Sequence, residues 1–122
     1  MKATSKSWQS VTEFYSQLKA SSNWNPKALE NLSAEIQNSK YAIGLYPVTS
    51  MYVLYIGQTL EFDIYRGALK IELKNGKIHF ELMSSCNSSK NWKRAVDADI
   101  AFDALVRFLE SEKWFVEYHK NA

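Results

Sequence analysis

The stretch Ala68-Leu69-Lys70-Ile71-Glu72-Leu73-Lys74-Asn75-Gly76-Lys77-Ile78-His79-Phe80-Glu81-Leu82-Met83 alternates apolar and polar residues on both sides of Asn75-Gly76. A period of two marks strands with one buried face, and Asn-Gly is the strongest two-residue hairpin signal because both residues tolerate the positive φ of a type I′ turn. With the turn there, Lys74 faces Lys77, Leu73 faces Ile78, Ile71 faces Phe80 and Leu69 faces Leu82, so one side of the hairpin is apolar. The other side sets Glu72 against His79 and Lys70 against Glu81.

The same arithmetic extends toward the N-terminus. A turn at Arg66-Gly67 places Ile64, Phe62 and Leu60 opposite Leu69, Ile71 and Leu73, with Asp63 against Lys70. A turn at Gly57-Gln58, glycine first as a type II′ turn requires, places Tyr55, Val53 and Met51 opposite Leu60, Phe62 and Ile64. All these strands then present their apolar residues to one face, and a one-residue slip in any of them would turn its apolar set outward. A first strand from Tyr41, joined by a loop of Pro47 to Ser50, pairs Leu45 with Tyr52 and Ile43 with Leu54, which brings the expected antiparallel meander to about five strands.

Helical periodicity flanks this meander. Trp8, Val11, Phe14, Tyr15 and Leu18 recur at three-and-four spacing after Ser7, a suitable N-cap. Ser21-Ser22-Asn23 interrupts the pattern, and Asn25-Pro26 opens a second helix with a Leu29, Leu32 and Ile36 stripe that ends near Asn38; Trp24 is placed to staple Leu29. After a Ser-rich loop from Ser84 to Asn91, the segment Asp97 to Glu112 carries Ile100, Ala101, Ala104, Leu105, Phe108 and Leu109 on one side, the long C-terminal helix expected to pack on the apolar face. Lys113 to His119 alternates Trp114, Val116 and Tyr118 against polar and aromatic residues, as a short final strand or a docked tail. The expectation is an α+β fold in one domain spanning residues 1–122, since no linker or repeat divides the chain.

Composition narrows the function classes. Fifteen basic and thirteen acidic residues leave a net charge of +2, too balanced for a protein devoted to polyanions or anionic membranes. Cys86 is the only cysteine and the histidines are His79 and His119, so neither a disulfide nor a Cys/His zinc site is expected, and no motif calls for another metal or a cofactor. Without an apolar run of about eighteen residues or a secretory leader, the expected location is the cytoplasm, with no membrane partner.

Several constellations remain. The register above leaves Tyr41, Ile43, Leu45, Tyr52, Leu54 and Ile56 as an apolar patch on the outer face of the first two strands, which the first two helices or the C-terminal tail must cover, or which forms a dimer or partner surface. Lys90-Asn91-Trp92-Lys93-Arg94 sets basic residues around an aromatic, the pattern of phosphate contacts beside a stacking ring; its alternative is a tryptophan that anchors the loop to the core among solvated charges. Glu72 beside His79 resembles an oriented base, but on a sheet face with no nucleophile nearby it reads as a surface contact, and Cys86 has no histidine close in sequence to activate it.

Gly44-Leu45-Tyr46 together with Tyr55-Ile56-Gly57-Gln58-Thr59 resembles the opening hairpin of the GIY-YIG nuclease family over about sixteen residues. The resemblance implies a metal-dependent nuclease with Tyr46 and Tyr55 as active-site tyrosines, Gly57 as the family glycine and Arg66 in place of the arginine that follows. The sequence departs from the family after Thr59, where strand periodicity continues instead of an arginine-bearing helix, and no downstream glutamate matches the metal ligand. The expected function is therefore a non-enzymatic protein-binding or regulatory module, inhibitor- or chaperone-like, with another protein or a second copy as partner and no catalytic residue. The alternatives are nucleic-acid binding through the Trp92 loop and the GIY-YIG-like nuclease.

Overall fold

The computed structural model describes residues 2–18, 25–63, 67–83 and 92–112. In chain order these form β1 (Lys2–Thr4), α1 (Trp8–Gln17), α2 (Lys27–Gln37), a 3-10 turn (Lys40–Ala42), β2 (Tyr46–Ser50), β3 (Val53–Gly57), β4 (Glu61–Asp63), β5 (Ala68–Lys74), β6 (Lys77–Met83), β7 (Lys93–Asp97), a second 3-10 turn (Ala98–Ile100) and α3 (Ala101–Ser111). The main sheet is five-stranded and antiparallel in the order β2-β3-β5-β6-β7, while β1 and β4 form a two-stranded sheet of their own. The fold is α+β, with two helices before the meander and one after it.

The β5–β6 register is the one that Asn75-Gly76 dictates, from Lys74 opposite Lys77 to Ala68 opposite Met83. Both turn residues have positive φ, 53° at Asn75 and 76° at Gly76. The cap of α1 follows the sequence, the Ser7 hydroxyl accepting from the Ser10 N–H at 3.1 Å, whereas the N-cap of α2 is Pro26, one residue later than expected, with the Asn25 side chain accepting from the Lys27 N–H at 2.9 Å ahead of it. Trp8, Val11 and Tyr15 of α1 are buried, with Leu29, Leu32 and Ile36 of α2 and the Ala101, Ala104, Leu105, Phe108 and Leu109 stripe of α3. These side chains join Leu54, Ile56, Leu69, Ile71, Ile78, Phe80 and Val96 of the sheet in one core. Burial of a stripe this wide is what holds such short helices in place.

The N-terminal half of the meander departs from the sequence expectation. The tight turn is Met51-Tyr52, not Pro47 to Ser50, so Pro47 lies within β2, opposite Ile56. Its carbonyl accepts from the Lys6 N–H at 2.8 Å, pointing away from β3. The N and C=O of one strand residue lie on the same side, so the N–H that proline lacks falls on the open edge and no bond to β3 is lost. β3 then pairs directly with β5, Leu54 with Ile71 and Ile56 with Leu69. A strand has two edges, and those of β5 are taken by β3 and β6, which rules out the hairpins expected at Gly57-Gln58 and Arg66-Gly67; Glu61–Asp63 pairs with Lys2–Thr4 instead. The fifth place in the sheet goes to Lys93–Asp97, paired with β6.

This shift of register dissolves the expected outer patch. Leu45, Leu54 and Ile56 are buried in the core with α1 and α2, and Tyr41 is half-buried against it. Only Ile43 and Tyr52 are exposed, at 65% and 55%. The parity of β3 is opposite to the expected one, so its apolar residues need no separate cover. Ile100, expected in the buried stripe of α3, sits exposed in the 3-10 turn before it. Trp24, Ile64, Arg66, Ser84 to Asn91 with Cys86, and Lys113 to His119 lie outside the described residues. No helix among the described residues is long and apolar enough to cross a membrane.

Leu54 discriminates between the two registers. Leu54→Ala should cost about 2–5 kcal/mol in urea denaturation, the range for a core leucine, whereas Val53→Ala on the opposite face should cost well under half of that. Equal costs at the two positions would contradict the β3–β5 pairing.

Candidate functional site

With one face of the sheet committed to the core, chemistry is left to the turns and to the outer face. The first such place is the β2–β3 turn. Ser50 pairs with Val53, so Met51 and Tyr52 are the central residues of a two-residue hairpin, with φ of 50° and 73°. Both have the left-handed conformation that a type I′ turn demands, and neither is a residue type that adopts it readily. Met51 is 91% exposed. The Tyr15 hydroxyl donates to the Tyr52 carbonyl at 3.1 Å, and the Phe14 ring lies 6.3 Å from the Tyr52 ring, so α1 braces the turn from below. Burial pushes the Tyr15 hydroxyl far above its ordinary value, which keeps it protonated as a donor. Lys6 completes the surroundings, its Nζ donating to Thr49 Oγ1 at 2.8 Å and lying 5.4 Å from the centre of the Phe14 ring.

The second place is an open depression of about 270 Å³ on the outer face of β5, β6 and β7. Alternation from the core residues brings Lys70, Glu72, His79 and Glu81 to this face, with Glu72 directly opposite His79 and Lys70 opposite Glu81. Glu72 accepts from Lys70 Nζ at one carboxylate oxygen and from Lys74 Nζ at the other, each at 2.8 Å. The hydrogen bonds from Lys70 and then Lys74 hold the Glu72 carboxyl below its ordinary value of 4.5, and the Glu72 carboxylate raises that of Lys70 in return. Lys93 stands 3.9 Å from Glu81, and Ala95 lies opposite His79 on the edge strand.

The residues singled out from sequence fall as follows. Trp92 is half-buried, its ring 4.7 Å from Phe108 and 6.3 Å from Phe80, so it closes the core beside α3, while Lys93 and Arg94 are exposed, Lys93 on the outer face at the depression and Arg94, opposite Phe80, on the other. Lys90 is outside the described residues. Tyr46 pairs with Gly57 and Val48 with Tyr55, which puts Tyr46 and Tyr55 on the same outer face of adjacent strands. After Gly57, however, the chain continues into β4 and β5, and no described residue between Gly57 and Lys93 is helical, so the arginine-bearing helix of the GIY-YIG pattern has no counterpart among the described residues of that stretch. Sequence reasoning missed the exposed Met51-Tyr52 turn, since neither residue carries a turn signal, and the part of Ala95, since β7 itself was read as loop.

Compared with known proteins, the chain matches no family model, and no curated protein and no solved structure resembles it significantly.

The Glu72 ion pairs make a test of the outer-face geometry. A carboxyl whose folded-state pKa is depressed contributes stability above its unfolded value near 4.5, and that contribution disappears as pH falls through the lower folded value. Glu72→Gln should therefore cost roughly 0.5–1 kcal/mol at neutral pH, with the gap to wild type closing below pH 4.5. Urea denaturation across the acid range checks this, and a gap independent of pH would contradict the pairing.

Proposed function

We propose that this chain is a non-enzymatic protein-binding module that presents the Met51-Tyr52 turn to another protein. The observation that supports this reading is a contrast within the molecule. The chain builds the same turn twice, once with Asn75-Gly76, the residues that turn prefers, and once with Met51-Tyr52. Left-handed backbone at a bulky residue costs about 1–3 kcal/mol, and nothing in the hairpin's own geometry calls for these two side chains. Met51 contributes no burial in return, because it is 91% exposed. A methionine and a tyrosine held rigidly at a tip, with Phe14 beside them and the Lys6 ammonium at the rim, have the composition of an interface centre. A braced tip of this kind loses little conformational freedom on binding, as a small inhibitor or regulatory module requires. The nuclease reading has no such support.

Substitution separates a role in binding from a role in folding. Met51→Asn combined with Tyr52→Gly should stabilise the fold by about 1–2 kcal/mol, because the turn receives the residues it favours. The same variant should lose its partner. A photo-crosslinking phenylalanine derivative at Met51 should form covalent adducts with a protein in living cells, whose mass tells a second copy from a different protein; one at Glu35, exposed on α2, should form none. A double variant less stable than wild type, or equal crosslinking at both positions, would show that the turn residues serve the fold alone.

A further inference from the structure

We infer that the depression on the outer face of β5, β6 and β7 is a binding site for a phosphorylated ligand, seated over Ala95. Its shape comes from one small residue. Ala95 stands opposite His79, and its methyl group leaves the floor open where Lys93 and Asp97, its neighbours on the same face, carry longer side chains. At about 270 Å³ the depression is at the lower limit of small-molecule sites, room for a phosphate or pyrophosphate group more than for a whole nucleotide.

Its charge comes from the register. Three cationic side chains, Lys70, Lys74 and Lys93, share this face with two carboxylates, Glu72 and Glu81, while Arg94, opposite Phe80, projects from the other face of the strand. Glu72 engages Lys70 and Lys74 with one oxygen each, and an ammonium carries three donors, so each lysine keeps hydrogens for a further acceptor. Glu81 is 3.9 Å from Lys93, beyond hydrogen-bond distance. Among the described residues the His79 side chain makes no hydrogen bond or ion pair, and it stands between the two lysine-bearing strands. Donors on three adjacent strands thus converge on one open volume with more hydrogens than the two carboxylates accept.

The chemistry of the lining selects the ligand. A phosphate group offers several charged acceptor oxygens in a compact tetrahedron, matching ammonium and imidazole donors spread around a shallow floor. Among the described residues no exposed phenyl, phenol or indole ring lines the volume, since Phe80 is buried and Trp92 is packed on Phe108, so the site holds the phosphate chiefly by charge. The same chemistry is offered by a free phosphorylated compound and by the phosphodiester backbone of a nucleic acid.

Titration of isotope-labelled protein with sodium pyrophosphate, at ionic strength held constant with sodium chloride, tests the site by NMR. Saturable shifts should centre on the amides of Lys70, His79 and Ala95 and on the His79 imidazole. Ala95→Glu and Lys93→Glu, both at exposed positions of the edge strand, should weaken binding roughly tenfold or more by like-charge repulsion, with the remaining spectrum preserved. Absence of saturable shifts, or shifts that persist undiminished in Ala95→Glu, would overturn the assignment. A parallel titration with a short oligothymidylate identifies the source: binding much tighter than pyrophosphate and weakened by the same substitutions means a nucleic-acid backbone, and binding no tighter means a free phosphorylated compound. Either result supports the site.

Discussion

The pairing of β5 with β3 on one edge and β6 on the other decides what every other part of the chain does. Leu54 opposite Ile71, itself opposite Phe80, makes an apolar row across three strands, and Ile56, Leu69 and Leu82 make the next. These rows fix the core face, and the helices must all deliver their stripes to it: Trp8, Val11 and Tyr15 from α1, Leu29 and Ile36 from α2, Leu105 and Phe108 from α3. At the β7 edge the row changes from Phe80 to Arg94, and Trp92 takes over the role of cover by laying its ring against Phe80 and Phe108. With both edges of β5 occupied, the chain between β3 and β5 is left without a place in the sheet, and its Glu61–Asp63 segment finds the N-terminal strand instead. A strand slipped by one residue would invert its apolar set, so this arrangement has no close competitor.

How much of this was legible depended on where the local signals sit. The Asn75-Gly76 hairpin, the cap at Ser7 and the stripes of the three helices, Ile100 apart, are written in residue types with strong positional preferences, and each is found where the sequence puts it. The first hairpin is not. Met51-Tyr52 looks like strand, because aromatic and apolar residues belong in strands, whereas Pro47 looks like loop, because proline belongs outside sheets; both inferences fail at an edge strand joined by a strained turn. The error then propagates through parity, exchanging the faces of β3 and creating a patch from Leu45, Leu54 and Ile56 that the fold buries. β7 was hidden for another reason: Lys93-Arg94-Ala95-Val96-Asp97 has one buried apolar residue, as suits a charged edge strand, and so carries little periodicity. Of the candidate sites, the cation Lys93 was visible in the sequence, while its convergence with Lys70 and Lys74 required a sheet order that no local pattern encodes.

The outer face divides along the sheet. Toward β2 it carries Val48, Tyr55 and Ala68, which pack on one another, and toward β7 it carries the charged ladder. One row of residues runs from the turn to the depression: Ser50 pairs with Val53, the β3–β5 register continues from Val53 to Glu72, and Glu72 faces His79, which faces Ala95. The exposed turn and the depression thus stand at two ends of a single line across the sheet, on strands joined through the β2–β3, β3–β5, β5–β6 and β6–β7 ladders. What fixes the turn end of this line is a requirement of the core. Tyr15 is fully buried, and a buried hydroxyl left without an acceptor is costly. It finds the Tyr52 carbonyl, which a left-handed Tyr52 presents to α1. The strain in the turn and the satisfaction of the core are one arrangement; an Asn-Gly pair at the same place could accept the same bond with less strain, but it would give up the contact between the Tyr52 and Phe14 rings.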